Sequence, residues 1–246
     1  NLTLTDMTDI LKESLQYLFI STAISMLFAP IMINILYRFN QVSEIKKTKL
    51  ASEQGTNSVF MRIMRTAKTN GTPNMGGVLI WLIVPLVTYI FAPQFSQLNA
   101  LLAGFLLFGL WGFIDVAVFT NGLKNNEKFR ALQETFEWRL IKLVIAIILN
   151  IGIMYMLYKT GTFDTLSLTN TIAISVTPAI LILLALIGQF AIYSGELTDG
   201  LDGLMVGIFI IITTAMFFLL TVQQKYAYLP FLAITFGVLI VDLYFN

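Results

Sequence analysis

Two carboxylates three residues apart, Asp199 and Asp202, lie in the stretch GELTDGLDGLMVG (195–207), among glycines and between long apolar runs. A charge at a membrane boundary is costly without a partner or a task. Gly200 and Gly203 let the backbone approach a ligand closely, so the stretch reads as a metal or polar-ligand site. The plain alternative is a solvated acidic turn. In GTPNMGG (71–77), Pro73 fixes a turn and Gly76 and Gly77 free a helix start, where unpaired N–H groups favour an anion. Arg65 and Lys68 lie just upstream, and the alternative there is an ordinary helix entry beside lipid headgroups. WGFID (111–115) ends an apolar run on Asp115, and GLKNNEKFRALQETFEWR (122–139) offers Lys128 and Arg130 to phosphate or else forms a solvated surface helix. YFN (244–246) ends on Asn246, one turn after Asp242, an acid whose alternative role is purely structural. Carboxylates suit Mg²⁺ and cations suit phosphate. Together they point to phosphate chemistry beside a membrane.

The elements that must position these groups are membrane helices. The 246 residues are 57% hydrophobic and 12% charged, with a mean hydropathy of +0.80. That is about half the charge of an ordinary soluble domain, which excludes a large soluble domain and predicts an all-α, polytopic transmembrane helix bundle. The whole chain, 1–246, reads as a single integral membrane domain. Apolar runs of about 20 residues, enough to cross the bilayer core, fall near 13–37, 76–93, 98–118, 140–158, 171–194, 203–222 and 227–246. The first has acids before it and no small-residue cleavage site after it, so it is a span rather than a signal peptide. Pro30 is expected to kink it, and Gly104, Gly109 and Gly112 to let the third span pack closely. KTGTFDTLSLTN (159–170) alternates Thr with apolar residues and reads as a small hairpin. The chain has no histidine and no cysteine, so acid–base or metal chemistry falls to carboxylates.

Orientation follows from Lys and Arg. Arg38, Lys46, Lys47, Lys49, Arg62, Arg65 and Lys68 lie between spans one and two, and Lys124, Lys128, Arg130, Arg139 and Lys142 lie around the connection from three to four. Only Lys12, Lys159 and Lys225 fall on the other side, twelve against three. The basic loops are therefore expected in the cytoplasm and the N-terminus outside. By parity, the segment before span two, Asp115, the Asp199–Asp202 loop and Asn246 are all expected at the cytoplasmic face, where convergent polar groups make the default site.

These motifs resemble those of phospho-N-acetylmuramoyl-pentapeptide transferases. GTPNMGG is similar to that family's TPTMGG box, LTDGLDGL to its NLTDGLDGL box, WGFID to its GFIDD and YFN to its W-F/Y-N. GLKNNEK resembles its GL-x-x-x-x-K segment, and the boxes follow in family order over nearly the whole chain. The resemblance implies transfer of phospho-MurNAc-pentapeptide from a UDP-linked donor to undecaprenyl phosphate, giving lipid I and UMP. It also implies Mg²⁺, ten spans of which about seven are present here, a bacterial cytoplasmic membrane location and a homodimer. Lipids and the two substrates are the expected partners, and no nucleic acid is. By position in the motifs, Asp115, Asp199 and Asp202 are the implied catalytic acids, Asp115 also the implied metal ligand. Lys68, Thr72, Asn74, Lys128 and Asn246 are the implied substrate contacts, Lys68 standing about one position early.

Some positions depart from the pattern. The second acid of GFIDD is Val116, the Lys expected shortly after is Phe119, and the Asn opening NLTDGLDG is Glu196. The chain begins at Asn1 and stops before the family's FMGD acid and its His-rich loop, so it reads as a fragment expected to be inactive alone. Two other functions fit the motifs: a polyprenyl-phosphate N-acetylglucosamine-1-phosphate transferase, and a non-catalytic homologue that binds lipid phosphate. A transporter fits less well, for the sequence shows no inverted repeat.

Overall fold

The computed structural model describes residues 4–38, 77–93, 95–116, 135–161, 165–167, 173–198 and 203–245. The described helices are α1 (Leu4–Arg38), α2 (Gly77–Phe91), α3 (Ser96–Ile114), α4 (Phe136–Lys159), α5 (Pro178–Thr198), α6 (Leu204–Val222) and α7 (Leu229–Phe245). A short hairpin, β1 (Thr165–Ser167) with β2 (Ala173–Ser175), joins α4 to α5, and one 3₁₀ turn (Tyr226–Tyr228) leads into α7. Among the described residues, six stretches are long and apolar enough to cross a membrane: Asp9–Leu36, Ser96–Ile114, Glu137–Lys159, Pro178–Gly195, Leu204–Val222 and Tyr226–Phe245. The apolar helix Gly77–Phe91 is shorter. Phe19, Leu27, Phe190 and Val222 are all more than two-thirds exposed, as side chains that face lipid are. The protein is an all-α, multi-pass membrane protein.

The start of the fifth segment needs correction. Residues 173–175, expected within a span beginning at 171, form β2, antiparallel to β1 with Leu166 opposite Ile174. The hairpin expected over 159–170 thus takes its second strand from beyond that stretch. Ile172, Ile174, Val176 and Thr177 are β-branched and favour extended backbone. Helix α5 starts only at Pro178, which fits the first helical position because its missing N–H would be unpaired there anyway. Thr177 Oγ1 accepts from the Ile180 N–H at 3.4 Å.

The chain divides into two compact units, residues 1–83 with 198–246, and residues 84–197, the division falling within α2. In the first unit α1 packs on α7, and α7 on α6. Ser14, Ser21, Ser25, Ala29 and Leu36 form one buried stripe along α1. Gly237 of α7 meets this stripe so closely that a Cβ there would lie 2.2 Å from Ser21 Oγ and 2.7 Å from the Leu18 carbonyl oxygen. Small residues allow such an approach where lipid removes any hydrophobic drive between helices. Two hydroxyls at this contact are satisfied within α1: Ser21 donates to Leu18 O at 2.9 Å and Thr22 to the same oxygen at 2.8 Å.

In the second unit α3 and α4 run antiparallel in constant register. Gln97 Nε2 donates to Thr160 O at 3.1 Å. A Cβ on Gly104 would lie 2.8 Å from Ile153 Cγ2. Asp115 meets Lys142. Going from 97 to 104 to 115 on α3 takes the same steps as going from 160 to 153 to 142 on α4, so the helices stay aligned over the length of α3. At 1.5 Å per residue, the Gln97 and Asp115 contacts are separated by about 27 Å, close to the thickness of a bilayer core. Gly161 (φ +72) ends α4, its N–H bonding to Tyr158 O at 3.0 Å. Helix α5 is tied to α4 by Asn150, which is buried and donates to the Ala185 carbonyl at 2.8 Å.

Candidate functional site

Asp115 is the C-cap of α3. Its backbone remains helical (φ −60, ψ −46) and its N–H reaches back to the Gly112 and Trp111 carbonyls. An acid is poorly placed there, because the unpaired carbonyls of a helix C-terminus carry partial negative charge. The opposing cation comes from α4: Lys142 Nζ lies 2.5 Å from Asp115 Oδ1, the two side chains 29% and 26% exposed. The next residue is Val116, half-buried, so this helix end offers one carboxylate where the family motif has two.

The other predicted site residues, Asp199, Asp202, Asn246, Lys68, Thr72, Asn74 and Lys128, lie outside the described residues. For the acidic loop the frame is described. Helix α5 is described to Thr198 and α6 from Leu204, with Gly203 as its N-cap, and Asp199 and Asp202 fall in sequence between these two helix ends. Gly203 caps α6 with φ +76 and ψ −9, a left-handed conformation that strains any residue with a Cβ. A Cβ there would also come within 3.1 Å of Leu243 Cδ1, in the last turn of α7. The glycine after Asp202 is therefore favoured by backbone conformation, and a larger residue would also press on Leu243. In the same turn of α7, Asp242 is buried and Tyr244 packs edge-on against Phe245, with ring centres 5.0 Å apart.

Among the described residues, no three acidic, His or Cys side chains gather as metal ligands. The donors available to the chain are oxygens, since it has no His or Cys, and oxygen is what Mg²⁺ takes. Of the described residues, Asp115 offers such an oxygen donor, its carboxylate partly exposed and its Oδ1 paired with Lys142.

Lys142 is the residue that sequence reasoning missed, counting it only among the basic residues of a cytoplasmic loop. Its signal lay in the succession of two apolar spans, which as antiparallel neighbours bring the end of α3 beside the first turns of α4.

No protein-family model matches the chain, and no solved structure matches it. Among curated proteins it is similar to the phospho-N-acetylmuramoyl-pentapeptide-transferase of Bacillus cytotoxicus, 34% identical over 188 residues, 73% of this chain and 54% of the relative. The protein of that name from Caldicellulosiruptor bescii is 30% identical over 146 residues, 59% of this chain and 43% of the relative. That from Bacillus velezensis is 29% identical over 227 residues, 91% of this chain and 64% of the relative. The chain spans about half the length of the curated relatives it matches. Similarity over most of the chain, motifs in family order and apolar membrane helices agree: this chain is a divergent relative of the phospho-N-acetylmuramoyl-pentapeptide-transferases.

Proposed function

We propose that the protein transfers phospho-N-acetylmuramoyl-pentapeptide from its UDP-linked donor to undecaprenyl phosphate. The products are lipid I and UMP, and the reaction faces the cytoplasm at a bacterial inner membrane. The observation that supports this most is similarity to transferases of that name along 91% of the chain, including its LTDGLDGL and TPNMGG motifs.

In this reading an oxygen of the lipid phosphate attacks the donor phosphorus next to the sugar. The new P–O bond forms as the bond to the UMP phosphate oxygen breaks, with attacking and leaving oxygens roughly in line. Catalysis of such a step is largely positioning and charge neutralisation. Asp115, Asp199 and Asp202 supply the carboxylates, with Asp115 the residue that would hold Mg²⁺. The metal, when bound, supplies positive charge to the phosphates. Lys68, Thr72, Asn74, Lys128 and Asn246 bind and orient the substrates. The N-terminus lies outside, and a homodimer is the expected assembly.

The test uses the protein as its cell makes it, in detergent with Mg²⁺ and undecaprenyl phosphate. UMP release from UDP-MurNAc-pentapeptide is expected. Release from UDP-N-acetylglucosamine alone would reassign the donor. Binding of lipid phosphate with no release from either donor would overturn the enzymatic reading in favour of a binding homologue.

A further inference from the structure

Asp115 and Lys142 both stand where helix electrostatics gives them no help. Asp115 is at the negative end of α3. Helix α4 opens as an N-terminus should, with Thr135 Oγ1 accepting from the Trp138 N–H and Glu137 in its first turn. Its second turn then carries Lys142. A partly exposed ion pair adds little to stability, so packing alone is a weak reason for two charges at this level. The pair is not sealed either, since each side chain keeps more than a quarter of its surface exposed. A lysine ammonium has three donors, more than the single Asp115 oxygen beside it can accept.

The register of α3 and α4 fixes the depth of the pair. It lies about 27 Å along the helices from the Gln97–Thr160 contact, close to the thickness of a bilayer core, so with that contact at one membrane surface the pair falls near the headgroups of the other. We infer that Lys142 is a phosphate-binding residue, whose ammonium receives a phosphate oxygen of the lipid phosphate or of the nucleotide diphosphate, with Asp115 holding it in position. The inference rests on the transferase reading above and deepens it. Phosphoryl transfer needs cations on the phosphates, and this chain has Phe119 where the family motif leads one to expect a lysine. Lys142, from the next helix, returns a cation to the end of α3.

Lys142→Met, Lys142→Arg and the charge-neutral double variant Asp115→Asn/Lys142→Met are compared in the full native protein. KM and kcat are measured for both substrates. Thermal protection by dodecyl phosphate reports the lipid source, and protection by inorganic pyrophosphate the nucleotide source. Lys142→Met is expected to raise KM about tenfold or more for the substrate whose phosphate it holds, the loss of one charge-assisted hydrogen bond. Protection by the matching probe should fall with it, and Lys142→Arg should restore both. The double variant separates binding from mere neutralisation and removes the carboxylate that loses its lysine in the single variant. It should bind the probe as weakly as Lys142→Met. Recovery of binding in the double variant, or KM and protection unchanged in Lys142→Met, would overturn the assignment. A wild-type protein that turns over neither donor would refute the transferase reading, while probe protection would still decide whether Lys142 binds phosphate.

Discussion

At the residue scale the sharpest constraint is Gly237. A Cβ there would collide with the Leu18 carbonyl oxygen, which is backbone of α1 and cannot turn aside. Gly237→Ala should therefore cost about 1–3 kcal/mol, the usual range for overpacking, and lower the unfolding temperature in detergent. Gly112 has nothing within 4 Å of where its Cβ would be, so Gly112→Ala should be neutral or slightly stabilising, as Ala is the better helix former. Asn150 is a second such position. Its bond to the Ala185 carbonyl is buried between α4 and α5, and Asn150→Ala should cost on the order of 1 kcal/mol, typical of interhelical hydrogen bonds in membranes. The sequence showed none of these roles, because a glycine or asparagine in an apolar run does not name the neighbour it will touch.

At the element scale, apolar runs were enough to locate the seven described helices to within a few residues, apart from one start and one N-terminal extension. Helix α1 begins at Leu4, well before the apolar run near 13, because its first turns carry acids that suit a helix N-terminus. The late start of α5 reflects β-branched residues and Pro178, signals that apolarity alone conceals. Pairing of helices was not legible, since it depends on which faces meet. The register of α3 with α4 can be tested directly because the chain has no native cysteine. The double variant Gln97→Cys/Thr160→Cys should form a disulfide under mild oxidation, whereas Gln97→Cys/Ile153→Cys should not, its partners lying about 10 Å apart along the helix. Ready cross-linking of the second pair would refute the register, and with it the depth assigned to Asp115 and Lys142.

At the scale of the whole molecule, the membrane class was legible from composition, and the likeness to a transferase family from a handful of short boxes. The acids that carry the resemblance flank glycines. Gly203 gives a reason for one of them, since its left-handed backbone strains any residue with a Cβ and Leu243 Cδ1 would have to give way to one. Orientation rests on twelve cationic residues against three. In sealed right-side-out vesicles, a membrane-impermeant maleimide should label Lys225→Cys and leave Arg65→Cys unlabelled until the membrane is opened. The reverse pattern would invert the topology and move Asp115 to the wrong side for a nucleotide donor.

The central claim is that a phosphate-linked sugar passes from a nucleotide to a lipid phosphate. The most direct measurement gives the native protein UDP-MurNAc-pentapeptide radiolabelled at the phosphorus next to the sugar, together with undecaprenyl phosphate and Mg²⁺. The label is then followed between water and an organic extract. The account predicts that label enters the organic phase as a lipid-linked diphosphate while unlabelled UMP stays in water, and that Asp199→Asn or Asp202→Asn abolishes the transfer. Label that remains wholly in the aqueous phase with the wild-type protein would contradict it.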